Sequence, residues 1–146
     1  MDAYKLFQDF LQLEHQIDEF YHELAVKQDL SDSALMVLWA LMELGEGCTQ
    51  RDICGQFALS KQTVHSCVRK LADEGVLSLQ PGPGREVRVY PTVRGRALIQ
   101  EKIVPVRNAE RAASLALGVE QVAEMLRLTR RWFELFRKEG SAILNA

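Results

Sequence analysis

Between Ser60 and Leu71 the chain carries one set of side chains able to hydrogen-bond and another able to pack. At about 100° per residue, Gln62, Ser66 and Arg69 fall on one side of a helix, with His65 and Lys70 on its flanks. Val64, Cys67, Val68 and Leu71 fall opposite. The outward side presents an amide, a hydroxyl, an imidazole and cations, with no carboxylate before Asp73. A merely solvated helix face usually mixes both charge signs. This one suits acceptor-rich surfaces, namely base edges and the phosphates beside them.

The flanking residues define the elements that must hold this face. Thr49 can cap a short helix, with Asp52 three residues on completing a capping box. Ala58-Leu59 reads as a tight turn, and Ser60 as the cap of the next helix. Gly75 ends that helix, since a residue without a Cβ turns left-handed at little cost. A tight pair of short helices is the arrangement that places a second helix in a DNA major groove. Directly after it, Leu77 and Leu79 alternate with polar residues, as do Val87 and Val89. Pro81-Gly82-Pro83-Gly84 marks a turn between two half-buried strands, Val76–Leu79 and Arg85–Tyr90. This hairpin is a wing, with Arg85 at its tip and Arg88 on its exposed face. Cys48-Thr49 is placed to pair with it as a minimal third strand.

The 146 residues allow one domain with a real core, and the net charge of −2 argues weakly against a polyanionic partner. Its distribution reverses that argument. Residues 1–47 carry 2 basic and 10 acidic side chains, whereas residues 48–96 carry 8 basic and 4 acidic. Positive charge therefore gathers where the reading face lies. Three cysteines and no signal peptide fit a reducing cytoplasm. The longest apolar run, Ala34 to Met42, is far short of the about 20 residues a bilayer requires, so no membrane partner is expected.

The remaining segments read as helices. Residues 3 to about 27 place Leu6, Phe10, Leu13, Ile17, Phe20, Tyr21 and Leu24 on one broad apolar stripe. Ser31 caps a second helix that buries Leu35, Leu38, Trp39, Leu41 and Met42 and ends at Gly45 and Gly47. Thr92 caps one long helix, kinked at Pro105. Gly118 interrupts it, and a last helix runs from Glu120 to Glu139 with Val122, Met125, Leu126, Phe133 and Phe136 in line. These terminal helices are too apolar to stand alone. Together they predict a homodimer in which residues 1–29 and 93–146 form a helical dimerisation part and residues 30–92 a winged helix-turn-helix, all within one domain, 1–146. The fold class is thus mainly α with a small β-hairpin wing.

Enzyme chemistry is not supported. No serine, histidine and aspartate are arranged as a nucleophile with an oriented base, no glycine-rich phosphate loop is present, and no Cys-x-x-Cys occurs. No cofactor is called for. His15, Asp18, Glu19 and His22 share one helix face and could gather a divalent metal, but they lie away from the apolar stripe, and a solvated acidic face fits better. Cys54 and Cys67 read as small buried hydrophobes between the two short helices rather than as redox sensors.

Leu59-Ser60-Lys61-Gln62-Thr63-Val64, Val68-Arg69-Lys70-Leu71, Glu74-Gly75-Val76-Leu77, the wing and Thr92-Val93-Arg94-Gly95 together resemble the MarR family of bacterial transcription regulators. The similarity extends over nearly the whole chain. It departs at Ala58, where the family often has Gly, and in a wing without the Asp- and Arg-rich strand typical of the family. The resemblance implies a dimeric repressor on a pseudo-palindromic double-stranded operator. Gln62, His65 and Ser66 would touch bases, while Ser60, Lys61, Arg69 and Lys70 would hold phosphates, with Thr63 and Arg88 in the same surface. Arg85 would reach the neighbouring minor groove. It also implies a small aromatic or phenolic effector, held in a cavity formed by the first helix, the second helix around Trp39 and the long helix near Ile99. The alternatives are a redox- or metal-responsive regulator of the same fold, or a winged helix that binds protein, which would expose apolar rather than polar residues on the reading face.

Overall fold

The computed structural model describes residues 1–146. Seven helices and a three-stranded sheet follow in the order α1 (Ala3–Lys27), α2 (Asp32–Leu44), β1 (Cys48–Thr49), α3 (Gln50–Gln56), α4 (Lys61–Asp73), β2 (Leu77–Pro81), β3 (Val87–Pro91), α5 (Val93–Leu98), a π-helical turn (Ile99–Ile103), α6 (Val104–Leu117) and α7 (Val119–Leu144). The chain divides into two compact units, Met1–Val106 and Arg107–Ala146. α1 lies in the first of these units. None of the helices is long and apolar enough to cross a membrane.

The first unit is built on α2, where Leu35, Val37, Leu38, Trp39, Ala40 and Leu41 are all buried. A helix apolar all round must be covered on several sides, and α1, α3, α4 and the π-helical turn pack on it. Trp39 lies edge-on between Tyr21 of α1, 6.1 Å between ring centroids, and Phe57, 5.8 Å away. Each such pair contributes about 0.5–1.5 kcal/mol beyond area burial. The indole fills this junction.

The caps form as the sequence predicts. Ser31 Oγ accepts from the Ala34 N–H, Ser60 Oγ from Thr63 and Thr92 Oγ1 from Gly95. Thr49 and Asp52 make the reciprocal capping box at 3.1 Å in both directions. The N–H of Thr49 and then its side chain hold the Asp52 carboxyl below the usual carboxylate range.

Three segments differ from expectation. The helix after the wing is not one kinked rod: its middle widens into the π-helical turn, where the Val104 N–H reaches the carbonyl of Ile99. In a regular α ladder the Pro105 ring would meet the carbonyl four residues back, and the wider turn just before it removes that clash. The last helix passes through Gly140 to Leu144, because a single glycine costs a long helix only about 1 kcal/mol. In the wing the strands extend to Pro81 and begin again at Val87, so Arg85 sits within the turn, closed by the Gly82 N–H donating to Glu86 at 3.0 Å. Pro81 is tolerated because β2 is an edge strand, the sheet order being β1-β3-β2.

Two backbone positions invite tests of opposite sign. Ala58 holds a φ of 52° in the turn between α3 and α4, a region that is strained for a residue with a Cβ. Ala58→Gly should therefore stabilise the protein by about 0.5–1 kcal/mol, read as a raised denaturation midpoint. At Gly95 an added Cβ would run into the carbonyl oxygen of Val76, a backbone atom that cannot turn aside. Gly95→Ala should lower stability by about 1–3 kcal/mol in the same measurement.

Candidate nucleic-acid interface

α4 is held by its apolar side. Val64, Cys67, Val68 and Leu71 are buried, while Lys61, Gln62, His65, Ser66, Arg69 and Lys70 are exposed. The helix stops where Gly75, with φ of 77°, turns the chain into β2. From there the wing is tied back to the end of α4. Thr92 Oγ1 donates to the Gly75 carbonyl at 2.7 Å, and Arg94 donates to the Glu74 carbonyl at 2.7 Å. Two carbonyls at the end of α4 are thus capped by side chains from after the wing.

Most of the expected site residues are brought together here. Gln62, Ser66 and Lys70, with half-buried Thr63, line a groove of about 560 Å³ whose far side is Ser31 and Ser33 at the start of α2. His65 and Arg69 share a second groove, about 360 Å³, with Arg85 and Glu86 of the wing. Ser60 Oγ donates to Thr63 Oγ1 at 2.7 Å, so this pair is engaged in capping before it meets any partner. Arg88 departs from expectation. Its side chain is not free on an exposed face but donates to the Gly47 carbonyl at 3.2 Å and pairs with Glu86 at 3.4 Å. β3 is the central strand, and Arg88 stands opposite Thr49 of β1, which brings the guanidinium within reach of that carbonyl.

Two groups escaped the sequence reading. Gln50, the first residue of α3, places its side-chain oxygen 3.4 Å from Nδ1 of His65. Ser33 joins Ser31 opposite the reading face. Both lie outside α4, and only the packing of α2 and α3 against it makes them neighbours; their residue types alone carry no signal.

The acidic face of α1 does not converge. His15 pairs with Glu19 of its own helix at 3.3 Å, and His22 turns instead to Asp32 of α2 at 2.8 Å. No group of three or more His, Cys, Asp or Glu side chains is placed to hold a metal ion.

Surface charge, caps and wing together define a winged helix-turn-helix. Comparison with known proteins points the same way: residues 28–86 match the model described as MarR family. The fold is that of MarR family structures. A MarR family regulator from Neisseria meningitidis superposes with a TM-score of 0.77 at 22% identity, over 97% of this chain and 99% of that one. MepR of Staphylococcus aureus, solved as a DNA complex, gives 0.67 at 19% identity over 92% and 98%. BpsR of Bordetella bronchiseptica, whose DNA binding is regulated by 6-hydroxynicotinic acid, gives 0.57 at 26% identity over 83% and 98%. A comparison with curated protein sequences finds no match.

Burial pushes the Cys67 thiol up to about 11, with Glu74 adding to the rise against the pull of Lys70. Burial, then Asp52, raises Cys48 to about 11 as well. The thiolate is the reactive form, so both should resist alkylation near pH 7 in the folded protein. Labelling should begin only as pH climbs toward those values, and denaturant should abolish the protection; mass spectrometry of the iodoacetamide-treated protein reads both.

Proposed function

We propose that the protein is a sequence-specific repressor that binds a pseudo-palindromic operator as a homodimer and is released by a small-molecule effector. The observation that carries this reading is the exposed side of α4. It presents Gln62, His65, Ser66 and Arg69 beside Lys61 and Lys70, with the wing-tip Arg85 across a groove. Gln62, His65 and Ser66 are assigned to base edges. Ser60, Lys61, Thr63, Arg69 and Lys70 are assigned to phosphates, which fix register without reading sequence. Arg85 enters the adjacent minor groove. Arg88 serves chiefly to brace the wing through Gly47.

Dimerisation is supported by apolar surface left uncovered. In α7 no residue is buried, and Val122, Met125, Leu126, Phe133 and Phe136 are all exposed; in α1, Leu6, Leu13, Ile17 and Phe20 are exposed too. Apolar faces of this extent mark interaction surfaces. A two-fold pairing would set two copies of α4 about one DNA turn apart. Residues 1–29 and 93–146 are accordingly assigned to the dimer interface and residues 30–92 to the reading head. The regulation of BpsR by 6-hydroxynicotinic acid supports an aromatic effector here. Such a ligand lowers DNA affinity only by its preference for the non-binding form. The protein is expected to work in the cytoplasm, where its operator is.

Selection of bound sites from random duplex DNA tests the reading. The enriched sites should be pseudo-palindromic, with half-site centres about 34 Å apart. Gln62→Ala should relax one base position in each half-site by about 1–3 kcal/mol. Arg69→Ala should weaken all sequences alike and reduce the salt dependence of log affinity by about one unit for each phosphate that the guanidinium no longer neutralises. A single, unpaired half-site would contradict the dimer, and an unchanged motif for Gln62→Ala would contradict the assignment of the reading face.

A further inference from the structure

We propose that Gln50 is a positioning residue that decides which bases His65 can read, and that a proton on His65 exchanges one set of bases for another. This rests on the DNA-reading function proposed above. Gln50 is half-buried at the first position of α3, and His65 stands exposed on α4 with Nδ1 3.4 Å from Gln50 Oε1. An amide oxygen can only accept, so the neutral imidazole donates from Nδ1 and keeps its lone pair on Nε2. Nε2, on the other side of the ring, is then an acceptor. In the major groove its partners are the exocyclic amines, N6 of adenine and N4 of cytosine.

Protonation leaves the bond to Gln50 in place and makes Nε2 a donor. Its partners become O6 and N7 of guanine, O4 of thymine or N7 of adenine, so cytosine is the base that is lost. Imidazole is the side chain whose charge ordinarily changes between about pH 5 and 8. The charged groups nearest it are of both signs. Arg69, one turn along α4, and Arg85 of the wing line the same groove, and Lys61 lies one turn back on α4. Glu86 lines that groove too and pairs with Arg88. Gln50, the contact from α3, is neutral and fixes the tautomer only.

The test is site selection from random duplex DNA with the full chain, at about pH 8 and about pH 5.5. The parent protein, Gln50→Leu, Gln50→Glu and His65→Ala are compared, the last locating the base position that His65 reads. At the higher pH the parent should favour cytosine or adenine over guanine and thymine there by about fivefold, and at the lower pH guanine or thymine over cytosine by a similar factor, adenine being open to both forms. Gln50→Glu should favour guanine or thymine over cytosine already at the higher pH, because a carboxylate at that point stabilises the imidazolium. Gln50→Leu should lose the preference at the higher pH and keep it at the lower, since only the neutral ring has two tautomers to choose between. Overall affinity rises with any added positive charge, so the relative base preference is the readout that a merely structural role would not move. The proposal is overturned if the parent's preference is the same at both pH values, if Gln50→Glu selects as the parent does, or if His65→Ala changes no position while the rest of the motif stands. Failure of every protein to enrich any sequence would instead remove the DNA reading itself, and this proposal with it.

Discussion

The seam between α2 and α4 sets the position of everything that faces outward. Val64, Val68 and Leu71 of α4 are buried in the core that contains Leu35, Leu38 and Leu41 of α2. Burying one such side chain is worth about 1.5–3 kcal/mol, whereas an exposed ion pair is worth about 0–1 kcal/mol. The bridges nearby, Arg96 with Glu46 and Arg88 with Glu86, leave their side chains roughly half exposed. They trim the surface; the apolar stripe holds the helix. Because a helix has fixed angular spacing, fixing Val64 and Val68 also fixes where Gln62, His65, Ser66 and Arg69 point.

The C-terminal side of α4 is secured in another way. A helix end leaves carbonyls without intrahelical partners. Thr92 and Arg94, which follow the wing, supply the donors for Gly75 and Glu74. α5 begins at Val93, within the segment assigned above to the dimer part. The start of α5 and the end of α4 are therefore joined by two hydrogen bonds and by the close approach of Gly95 to Val76. For the effector response proposed above, these contacts are a direct physical path.

Much of this was legible in the sequence because it is governed by neighbours a few residues apart. Ser31, Thr49, Ser60 and Thr92 announce helix starts by residue type, and each cap forms. The alternation of Leu77, Leu79, Val87 and Val89 announces the wing. Features that depend on three-dimensional packing were not legible. Nothing near Gln50 in the sequence points to His65, fifteen residues on. Arg88 looked like a free cation because the Gly47 carbonyl it holds is 41 residues away. The π-helical turn was half legible: Pro105 signals a disturbance, but whether the ladder kinks or widens depends on how Ile103 and Val106 seat in the core. The exposed apolar faces of α1 and α7 are clear in the sequence as stripes.

The central claim is that the polar side of α4, and not another surface of the molecule, meets DNA. Lysine acetylation with and without a selected operator tests it most directly, because Lys61 and Lys70 are exposed on α4 and Lys5 and Lys27 are exposed on α1. Quantified by mass spectrometry, operator DNA should protect Lys61 and Lys70 and leave Lys5 and Lys27 as reactive as in the free protein. Equal labelling of Lys61 and Lys70 in the free and bound states would contradict the account.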